Sequence, residues 1–274
     1  MIGIFDSGFG GLSVLKEVQK ALPHHSYLYL GDTARAPYGN RDMDAVYRFT
    51  KEGVEFLFNH GCKLVVIACN TASAKALRKL QQEYAVTHPR RKVLGVIIPA
   101  VEEAVEKTKN GRIGVIGTHG TVASETFPRE FEKRLPEAVI FQRACPLLVS
   151  LVETGEHTSP KADALLKKYL GPLLAQDIDT LVLGCTHYGH LEKKIRAVAG
   201  KRVRIISEGK VIAQKLTEYL KRHPEIASRL SKRKEMTFYT TGREEKFRTL
   251  GSKFFGKPIT PRKVGVLELT KQNT

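Results

Sequence analysis

Two cysteines stand at positions where a protein could use a thiol as an acid or a base. Cys69 follows the apolar run Leu64–Ala68 and precedes Asn-Thr-Ala-Ser, and Cys185 follows Thr180–Gly184 and precedes Thr-His-Tyr. A cysteine between a strand and a helix lies near free helix amides, which favour the thiolate and can lower a thiol pKa from about 8.5 to between ~3.5 and ~7.5. Two such thiols facing one cleft could remove a proton from one face of a carbon and deliver another to the opposite face.

Other residues near these thiols are candidates for proton transfer or ligand binding. The first loop, Asp6-Ser7-Gly8-Phe9-Gly10-Gly11, is not a G-x-G-x-x-G loop, and the charge of Asp6 would repel a pyrophosphate. Asp6 is better suited to proton handling, although an Asx turn that caps the next helix explains it equally well. His187 lies two residues after Cys185 and could exchange a proton with that thiol. Arg35 could bind a carboxylate or be an ordinary surface charge.

A repeat along the chain indicates how the two thiols come together. Four segments recur in order at offsets of 110 to 116 residues, among them Ile2–Gly8 with Ile113–His119 and Leu64–Thr71 with Thr180–His187. This pattern predicts two similar α/β halves, although generic apolar strands also resemble one another. Ligands of parallel sheets bind outside the carboxyl ends of the strands, so halves that face each other would place both thiols in one cleft.

Short apolar runs that alternate with amphipathic stretches predict mostly parallel sheets flanked by helices. Strands are predicted over Ile2–Phe5, Ser26–Leu30, Leu64–Ala68, Val93–Ile98, Ile113–Ile116, Val139–Arg143, Thr180–Leu183 and Val203–Ile206. Helices are predicted over Met43–Asn59, Ser73–Tyr84, Ala162–Ala175, Lys193–Ala199 and Lys210–Lys221.

Composition narrows the class of protein. With 42% hydrophobic and 27% charged residues in 274, the chain is typical of a folded globular protein. The longest apolar run, Val93–Val101, is far shorter than the ~20 residues that span a bilayer, and the first residues lack the basic region of a signal peptide. We therefore expect a cytoplasmic protein whose cysteines are free thiols, with Cys62 and Cys145 in the core. The spacing of the cysteines and histidines predicts no metal site.

Charge is concentrated in the last third of the chain. Residues 191–274 contain 22 Lys and Arg against 8 Asp and Glu, whereas the net charge of the whole chain is +17. Such a segment could bind nucleic acid or attract an anionic ligand. An ordinary solvated surface is the more economical interpretation, because neither interleaved aromatic residues nor a helix-turn-helix pattern accompanies the charge.

Several motifs in order give the chain a specific resemblance. They are FDSGFGGLSV (5–14), GDTARAPYG (31–39), ACNTAS (68–73), GVIGTHGTV (114–122), ACPLLVSLVE (144–153) and GCTHY (184–188). The sequence resembles the cofactor-independent glutamate racemases of the aspartate/glutamate racemase superfamily over most of its length. Two departures stand out: Gly189-His190 replaces the usual Pro-Leu, and Ser207-Glu208 replaces the usual Asp-Ser.

The resemblance implies roles for individual residues. Cys69 would be the acid/base thiol for the D-enantiomer, assisted by Asp6, and Cys185 the thiol for the L-enantiomer, assisted by His187 and Glu153. The substrate site implied by the resemblance consists of Asp6, Ser7, Tyr38, Gly39, Asn70, Thr71, Thr118, Thr121, Thr186 and His187.

The resemblance also implies an α/β fold of two pseudo-symmetric lobes with the active site between them. We expect the first lobe to comprise residues 1–96 and 208–274 and the second residues 97–207. The implied activity is racemisation of glutamate, which supplies D-glutamate for peptidoglycan, by a homodimer without a cofactor. Aspartate racemisation is the alternative within the superfamily, and binding of nucleic acid or DNA gyrase by the basic third is an alternative of another class.

Overall fold

Two parallel β-sheets form the framework of the protein. The structure, a computed structural model, describes residues 1–270. Its strands are β1 (Ile2–Asp6), β2 (Tyr27–Gly31), β3 (Leu64–Ile67), β4 (Lys92–Gly95), β5 (Arg112–Gly117), β6 (Val139–Ala144), β7 (Thr180–Gly184), β8 (Arg204–Ile206), β9 (Met236–Thr240) and β10 (Pro261–Lys263). The first sheet has the order β10-β9-β2-β1-β3-β4 and the second the order β6-β5-β7-β8.

Helices connect the strands and cover the sheets. They are α1 (Gly11–Ala21), α2 (Met43–Asn59), α3 (Asn70–Thr87), α4 (Ile97–Lys107), α5 (His119–Ala123), α6 (Thr126–Glu132), α7 (Leu147–Glu153), α8 (Pro160–Leu174), α9 (Glu192–Ala199), α10 (Glu208–Arg222), α11 (Pro224–Ala227), α12 (Glu244–Phe255) and α13 (Val266–Thr270). Parallel strands require such crossovers, since each strand must return to the same end of the sheet before the next begins.

The central strands are buried on both faces. Every residue of β1, β2, β3 and β7 is buried, which explains why these segments are continuous apolar runs rather than alternating ones. The register pairs Asp6 at the end of β1 with Gly31 at the end of β2, and Gly117 at the end of β5 with Gly184 at the end of β7. Loops that follow neighbouring strands therefore emerge together at one edge of each sheet.

The predicted repeat is confirmed by the order of the strands. The order β2-β1-β3-β4 in the first sheet matches β6-β5-β7-β8 in the second, strand for strand. The two halves differ because β9 and β10 extend the first sheet beyond β2. The fold is therefore α/β with two lobes of the same winding, as expected.

One predicted strand was partly wrong. The run Val93–Ile98 is strand only at its beginning, since β4 ends at Gly95 and α4 begins at Ile97. The run is apolar throughout because the first turn of α4 is buried like the strand before it, with Ile97 and Ala100 in the core. Periodicity cannot separate a buried strand from a buried helix end in so short a run.

The predicted helices lie where the structure has helices, but the first residues of some of them were placed too late. Met43–Asn59 is confirmed as predicted. The predicted helix Ser73–Tyr84 begins three residues earlier, so that Cys69 is its N-cap, and α10 begins at Glu208 rather than Lys210. Both early starts use small or polar residues that are buried, and such residues look like loop in the sequence.

Two strands of the first sheet, β9 and β10, were missed. The prediction did not include Met236–Thr240, which is only partly buried and mixes polar with apolar residues, nor Pro261–Lys263, which is short and begins with proline. With them, the basic last third of the chain contributes to both sheets, since β8 belongs to the second and β9 and β10 to the first. It is not a separate module.

The boundaries of the lobes remain a proposal. We propose residues 1–96 and 208–274 for the first lobe and 97–207 for the second, of which residues 271–274 lie outside the described part of the chain. The assignment of strands to sheets supports this division, because β5 to β8 fall between residues 112 and 206. Within residues 1–270, none of the helices has the length and apolar character needed to cross a bilayer.

Candidate active site

A cavity of about 700 Å³ lies between the lobes at the carboxyl ends of the strands. Eleven of the predicted site residues line it: Ser7, Tyr38, Gly39, Cys69, Asn70, Thr71, Thr118, Glu153, Cys185, Thr186 and His187. Asp6 and Thr121 are buried behind its wall, with 1% and 0% of their surface exposed. Each lobe contributes one cysteine, because Cys69 follows β3 of the first sheet and Cys185 follows β7 of the second.

Cys69 is held at the start of α3 by backbone and side-chain contacts. It is the N-cap residue of that helix, with extended backbone angles, and its side chain is almost completely buried. Ser7 Oγ lies 3.4 Å from the Cys69 sulfur, and Asp6 is close enough to act on the thiol electrostatically. The loop after β1 therefore brings a hydroxyl and a carboxyl to this thiol.

Cys185 has a different set of partners. His187 Nδ1 lies 3.9 Å from the Cys185 sulfur, and His187 Nε2 lies 3.1 Å from Glu153 Oε1. Burial would raise the pKa of Glu153, but its hydrogen bond with His187 and the charge of His187 lower the pKa below its ordinary value. Thiol, imidazole and carboxylate thus form a chain, which connects Cys185 to the end of α7.

Backbone amides favour the thiolates as expected, but the expected net lowering of the two thiol pKa values was wrong. Burial raises the pKa of Cys69 to about 11, and the nearby Asp6 raises it further, against the hydrogen bonds from Ser7 and Ala72 that lower it. Burial likewise raises the pKa of Cys185 well above its ordinary value. In addition, Cys185 is followed by the short 3-10 helix Tyr188–Leu191 rather than directly by an α-helix. Desolvation of the charged sulfur outweighs the amide dipoles at both thiols.

The two carboxyl oxygens of Asp6 have different surroundings. Its Oδ1 accepts a hydrogen bond of 2.8 Å from the Gly8 amide, which is the Asx-turn geometry. Its Oδ2 has no hydrogen-bond partner among residues 1–270. Burial raises the pKa of Asp6, while the charge of His187 opposes that increase. The Asx turn therefore occupies one carboxyl oxygen and leaves the other without a hydrogen bond in the described part of the chain.

Three threonine hydroxyls join the lobes at one side of the cavity. Thr71 Oγ1 lies 2.8 Å from Thr118 Oγ1 and 3.2 Å from Thr121 Oγ1, and the last two are 3.1 Å apart. Thr118 is also the N-cap of α5 and accepts a hydrogen bond from the Thr121 amide. Thr71 comes from the first lobe and the other two from the second, so the cluster fixes their relative position.

The loop after β2 contributes backbone and an aromatic side chain. Gly39 lies so close to Thr118 that a Cβ atom at this position would be 2.8 Å from the Thr118 Cβ. Tyr38 lines the cavity, but its hydroxyl donates to Asp32. Arg35 does not reach the cavity, because it is paired with Asp32 and Glu52 and stacks on a ring. Arg35 therefore binds side-chain carboxylates of its own lobe, and the idea that it binds the carboxylate of a ligand in the cavity was wrong.

The sequence did not point to two cations in the cavity wall. Arg243 and Lys246, at the start of α12, line the cavity. Lys246 lies near enough to Glu153 to lower the pKa of that carboxyl. The basic charge of the last third of the chain could have indicated these two residues. It was interpreted as a surface for nucleic acid or an anionic ligand and was not assigned to this cavity.

The remaining cysteines play no part in the cavity. Cys62 and Cys145 are buried in the core, and all four cysteines are free thiols, as expected. Among residues 1–270, no group of three or more His, Cys, Asp and Glu side chains is arranged to hold a metal ion.

Comparison with known proteins agrees with this geometry. The chain matches the Asp/Glu/Hydantoin racemase family over residues 11–216. A glutamate racemase of Levilactobacillus brevis is 40% identical over 271 residues, 98% of this chain and 96% of that protein.

Solved structures give the same result. A glutamate racemase isoform of Bacillus anthracis superposes with a TM-score of 0.89 at 38% identity, covering 96% of this chain and 97% of the other. The glutamate racemase of Francisella tularensis, in complex with D-glutamate, has a TM-score of 0.86 at 30% identity, with 97% of each chain covered. Two thiols that face one cavity from matching lobes, together with these similarities, place the chain in the Asp/Glu/Hydantoin racemase family.

Proposed function

We propose that this protein interconverts L- and D-glutamate by a two-thiol acid/base mechanism that requires no cofactor. We further propose that it works in the cytoplasm as a homodimer and supplies D-glutamate for peptidoglycan. The observation that carries the proposal is that Cys69 and Cys185 line one cavity from opposite lobes. Thiols on opposite sides suit inversion at a carbon, because one removes the proton and the other returns a proton to the opposite face.

The buried thiols need an activating charge, and the substrate supplies one. An α-ammonium group in the cavity brings a positive charge close to both sulfurs, which favours the thiolate over the thiol. In the direction from L to D, Cys185 takes the α-proton and Cys69 donates its own, and the roles exchange in reverse. Asp6 would assist Cys69, and His187 with Glu153 would assist Cys185.

The carbanion formed after proton removal needs stabilisation at its carboxylate. Backbone amides at the start of α3 and the hydroxyls of Ser7, Thr71 and Thr186 are the donors around the cavity. Donors fixed before the reaction stabilise the developing charge without reorganisation. Arg243 and Lys246 provide positive charge for a second carboxylate, which favours an acidic amino acid over a neutral one.

The proposal is tested by proton NMR of L-glutamate with the protein in deuterated buffer without added cofactor, followed by chiral analysis. We expect loss of the α-proton signal together with the appearance of D-glutamate. Cys69→Ala and Cys185→Ala are each expected to lower racemisation by roughly 10²- to 10⁴-fold. Cys62→Ala is the matched control, since this thiol is buried but does not line the cavity.

Other outcomes separate the alternatives. Faster racemisation of aspartate than of glutamate would replace the substrate while keeping the mechanism. Substantial racemisation by either single-cysteine variant would contradict the assignment of the two bases. Absence of any racemisation, with salt-dependent retention of the intact protein on immobilised DNA, would favour nucleic-acid binding by the basic third instead.

A further inference from the structure

His190 lies at one of the two places where the sequence departs from the usual family pattern, and the proposed mechanism gives it no role. It belongs to the 3-10 helix Tyr188–Leu191, which follows Cys185 and His187 in the second lobe. Its Nε2 lies 3.0 Å from Ser13 Oγ of α1, in the first lobe. A side-chain hydrogen bond therefore joins the two lobes close in sequence to one of the two thiols.

The imidazole of His190 is in the right state for this hydrogen bond. Burial, together with the nearby charges of His187, His157 and Lys16, lowers the pKa of His190 to about 4. The ring is therefore neutral near pH 7, and its Nε2 either accepts a hydrogen bond from the Ser13 hydroxyl or donates one to it. The contact between the lobes does not require an ionised partner.

An aromatic contact holds the same ring. Phe254 of α12 is buried, and its ring centroid lies 4.4 Å from that of His190 and 5.3 Å from that of His187. Both imidazoles meet the phenyl ring at steep angles, which is a favourable arrangement for aromatic side chains. Phe254, which belongs to the first lobe, thus contacts both histidines of the second.

The helix α1 contacts the segment of residues 185–191 at two successive points. At the first, Gly10 lies so close to Thr186 and His187 that a Cβ atom at position 10 would overlap the side chains of both. At the second, three residues further along each partner, Ser13 meets His190. The glycine permits the approach of the lobes, and the hydrogen bond is the polar contact that holds it.

The 3-10 helix connects His190 rigidly to the residues that act on the thiol. The amide of Tyr188 donates to the carbonyl oxygen of Cys185, and the amide of His190 donates to that of His187. His187 in turn places its Nδ1 3.9 Å from the Cys185 sulfur, and its backbone amide favours the thiolate there. A displacement of His190 is therefore passed on to the surroundings of Cys185.

We propose that His190 is a positioning residue for Cys185: its hydrogen bond with Ser13 and its contact with Phe254 hold the segment of residues 185–191 against α1 and so fix His187 beside the sulfur. Its effect passes through His187 rather than through contact with substrate. The inference deepens the proposed function and rests on it where racemisation of glutamate is the readout.

A double-mutant cycle tests the hydrogen bond. His190→Leu retains an apolar side chain against Phe254 but cannot bond to Ser13, and Ser13→Ala removes one oxygen atom at a helix position that favours alanine. We expect each change to lower kcat/KM by about 5-fold, as for one neutral hydrogen bond, and the double variant to lose little more than either single variant. His190→Gln, whose amide can replace Nε2 as a partner, should stay within about 2-fold of wild type.

A matched control is available in the same region. His157, whose ring centroid lies 6.2 Å from that of His190, has an Nδ1 without a hydrogen-bond partner among residues 1–270. His157→Leu should therefore behave like wild type. Losses that multiply in the double variant, or a loss in His190→Gln as large as in His190→Leu, would overturn the proposal.

Alkylation of the two thiols gives a readout that does not depend on racemisation. Cys69 and Cys185 are equally exposed, at 7%, and mass spectrometry of their peptides measures the reaction of each with iodoacetamide in one sample. Release of the segment of residues 185–191 would admit water to the Cys185 sulfur and relieve the desolvation that disfavours its thiolate. We expect Ser13→Ala and His190→Leu to raise the alkylation rate of Cys185 relative to Cys69 by roughly 5-fold.

The same measurement separates failure of this inference from failure of the proposed function. An unchanged ratio of the two rates, or equal acceleration at both cysteines, would show that the contact only holds the lobes together and would contradict the positioning role, even with an active wild type. An inactive wild type whose Cys185 alkylation depends on Ser13 and His190 would contradict the proposed function and support the positioning role.

Discussion

At the scale of single residues, burial dominates the chemistry of the site. Both thiols follow strands and lie near amides, yet burial of the sulfurs raises their pKa values. Near neutral pH the thiol form is therefore favoured over the thiolate at both positions. Such an arrangement protects the thiols from unwanted reactions, because the thiolate is the reactive form.

Ser7 provides a direct test of what controls Cys69. Its hydroxyl lies 3.4 Å from the sulfur and lowers the pKa of that thiol. We expect Ser7→Ala to raise the pKa of Cys69 above about 11 and to slow its alkylation by iodoacetamide near neutral pH by roughly 10-fold. Mass spectrometry of the Cys69 peptide gives the rate. Ser150→Ala, also in the cavity wall, should leave it unchanged.

Glu208 makes the stability of the protein depend on pH. Its pKa is raised in the folded state above the ordinary value of 4.5, so the folded protein keeps a proton that the unfolded chain releases. The free energy of unfolding must then fall as pH rises from the unfolded pKa toward the folded one, by at most about 1.4 kcal/mol per pH unit. His190, whose pKa burial lowers to about 4, contributes the opposite pH dependence, so this decline is measured as a difference between variants by urea denaturation between about pH 5 and pH 8.

Glu208→Gln removes that contribution, since its amide does not titrate. The difference in unfolding free energy between wild type and variant should therefore change with pH in favour of the variant as pH rises. Asp6, which has a raised pKa as well, is present in both proteins, so only its electrostatic interaction with Glu208 differs between them. A constant difference across this range would show that Glu208 titrates alike in the folded and unfolded states.

Site residues that belong to short motifs were predicted from the sequence, whereas site residues that folding brings in from a distant helix were missed. Cys69, Cys185 and their polar neighbours occur in short motifs, so spacing was sufficient to select them. Arg243 and Lys246 belong to a helix far along the chain that packs against the cavity. Arg35 looked suitable from its position, but Asp32 and Glu52 occupy its guanidinium group. Pairing of this kind cannot be read from spacing.

At the scale of elements, the start of α1 determines how closely the lobes approach. Gly10 is the N-cap of α1, and a Cβ atom there would overlap Thr186 Oγ1 and lie 2.7 Å from His187 Nδ1. Its backbone angles are ordinary right-handed ones, so alanine meets no backbone strain at this position. Contact with the opposite lobe is what requires glycine.

Gly10→Ala tests this contact. We expect the added methyl group to push the lobes apart, to lower the unfolding free energy by about 1–3 kcal/mol and to lower racemisation strongly. Gly8→Ala is the matched control for stability, because its Cβ would meet nothing closer than Asp6 Oδ1 at 3.9 Å. Thermal unfolding of both variants measures the difference. Equal melting temperatures would contradict the role of Gly10.

Strands were easiest to predict where the chain has a continuous apolar run. The central strands β1, β3, β5 and β7 were found because each is a continuous apolar run. The strand β9, which lies between β2 and β10, was missed because it is partly exposed and contains polar residues, and the edge strand β10 was missed because it is short. The register of the strands and the pairing of the lobes depend on contacts between residues that lie far apart in the sequence.

At the scale of the whole molecule, the basic last third is part of the fold rather than an appendage. Within residues 191–270, β8 pairs with β7 and β9 pairs with β2, and both partners lie outside that segment. We therefore expect a fragment of residues 191–274 to remain unfolded. Circular dichroism of this fragment checks the expectation, and a cooperative thermal transition would contradict it. Nucleic-acid binding must accordingly be tested on the intact chain.

The position of β9 in the first sheet has a consequence for synthesis on the ribosome. Tyr27–Gly31 pairs with Met236–Thr240, so one edge of the buried strand β2 stays open until residues 236–240 have been made. At about 5–20 residues per second, the ribosome needs roughly 10–40 seconds to make the intervening segment. During that time an apolar strand edge is exposed on every nascent chain, and neighbouring chains on one message can pair with it. We therefore expect the yield of soluble protein to depend on how well this edge is protected during translation.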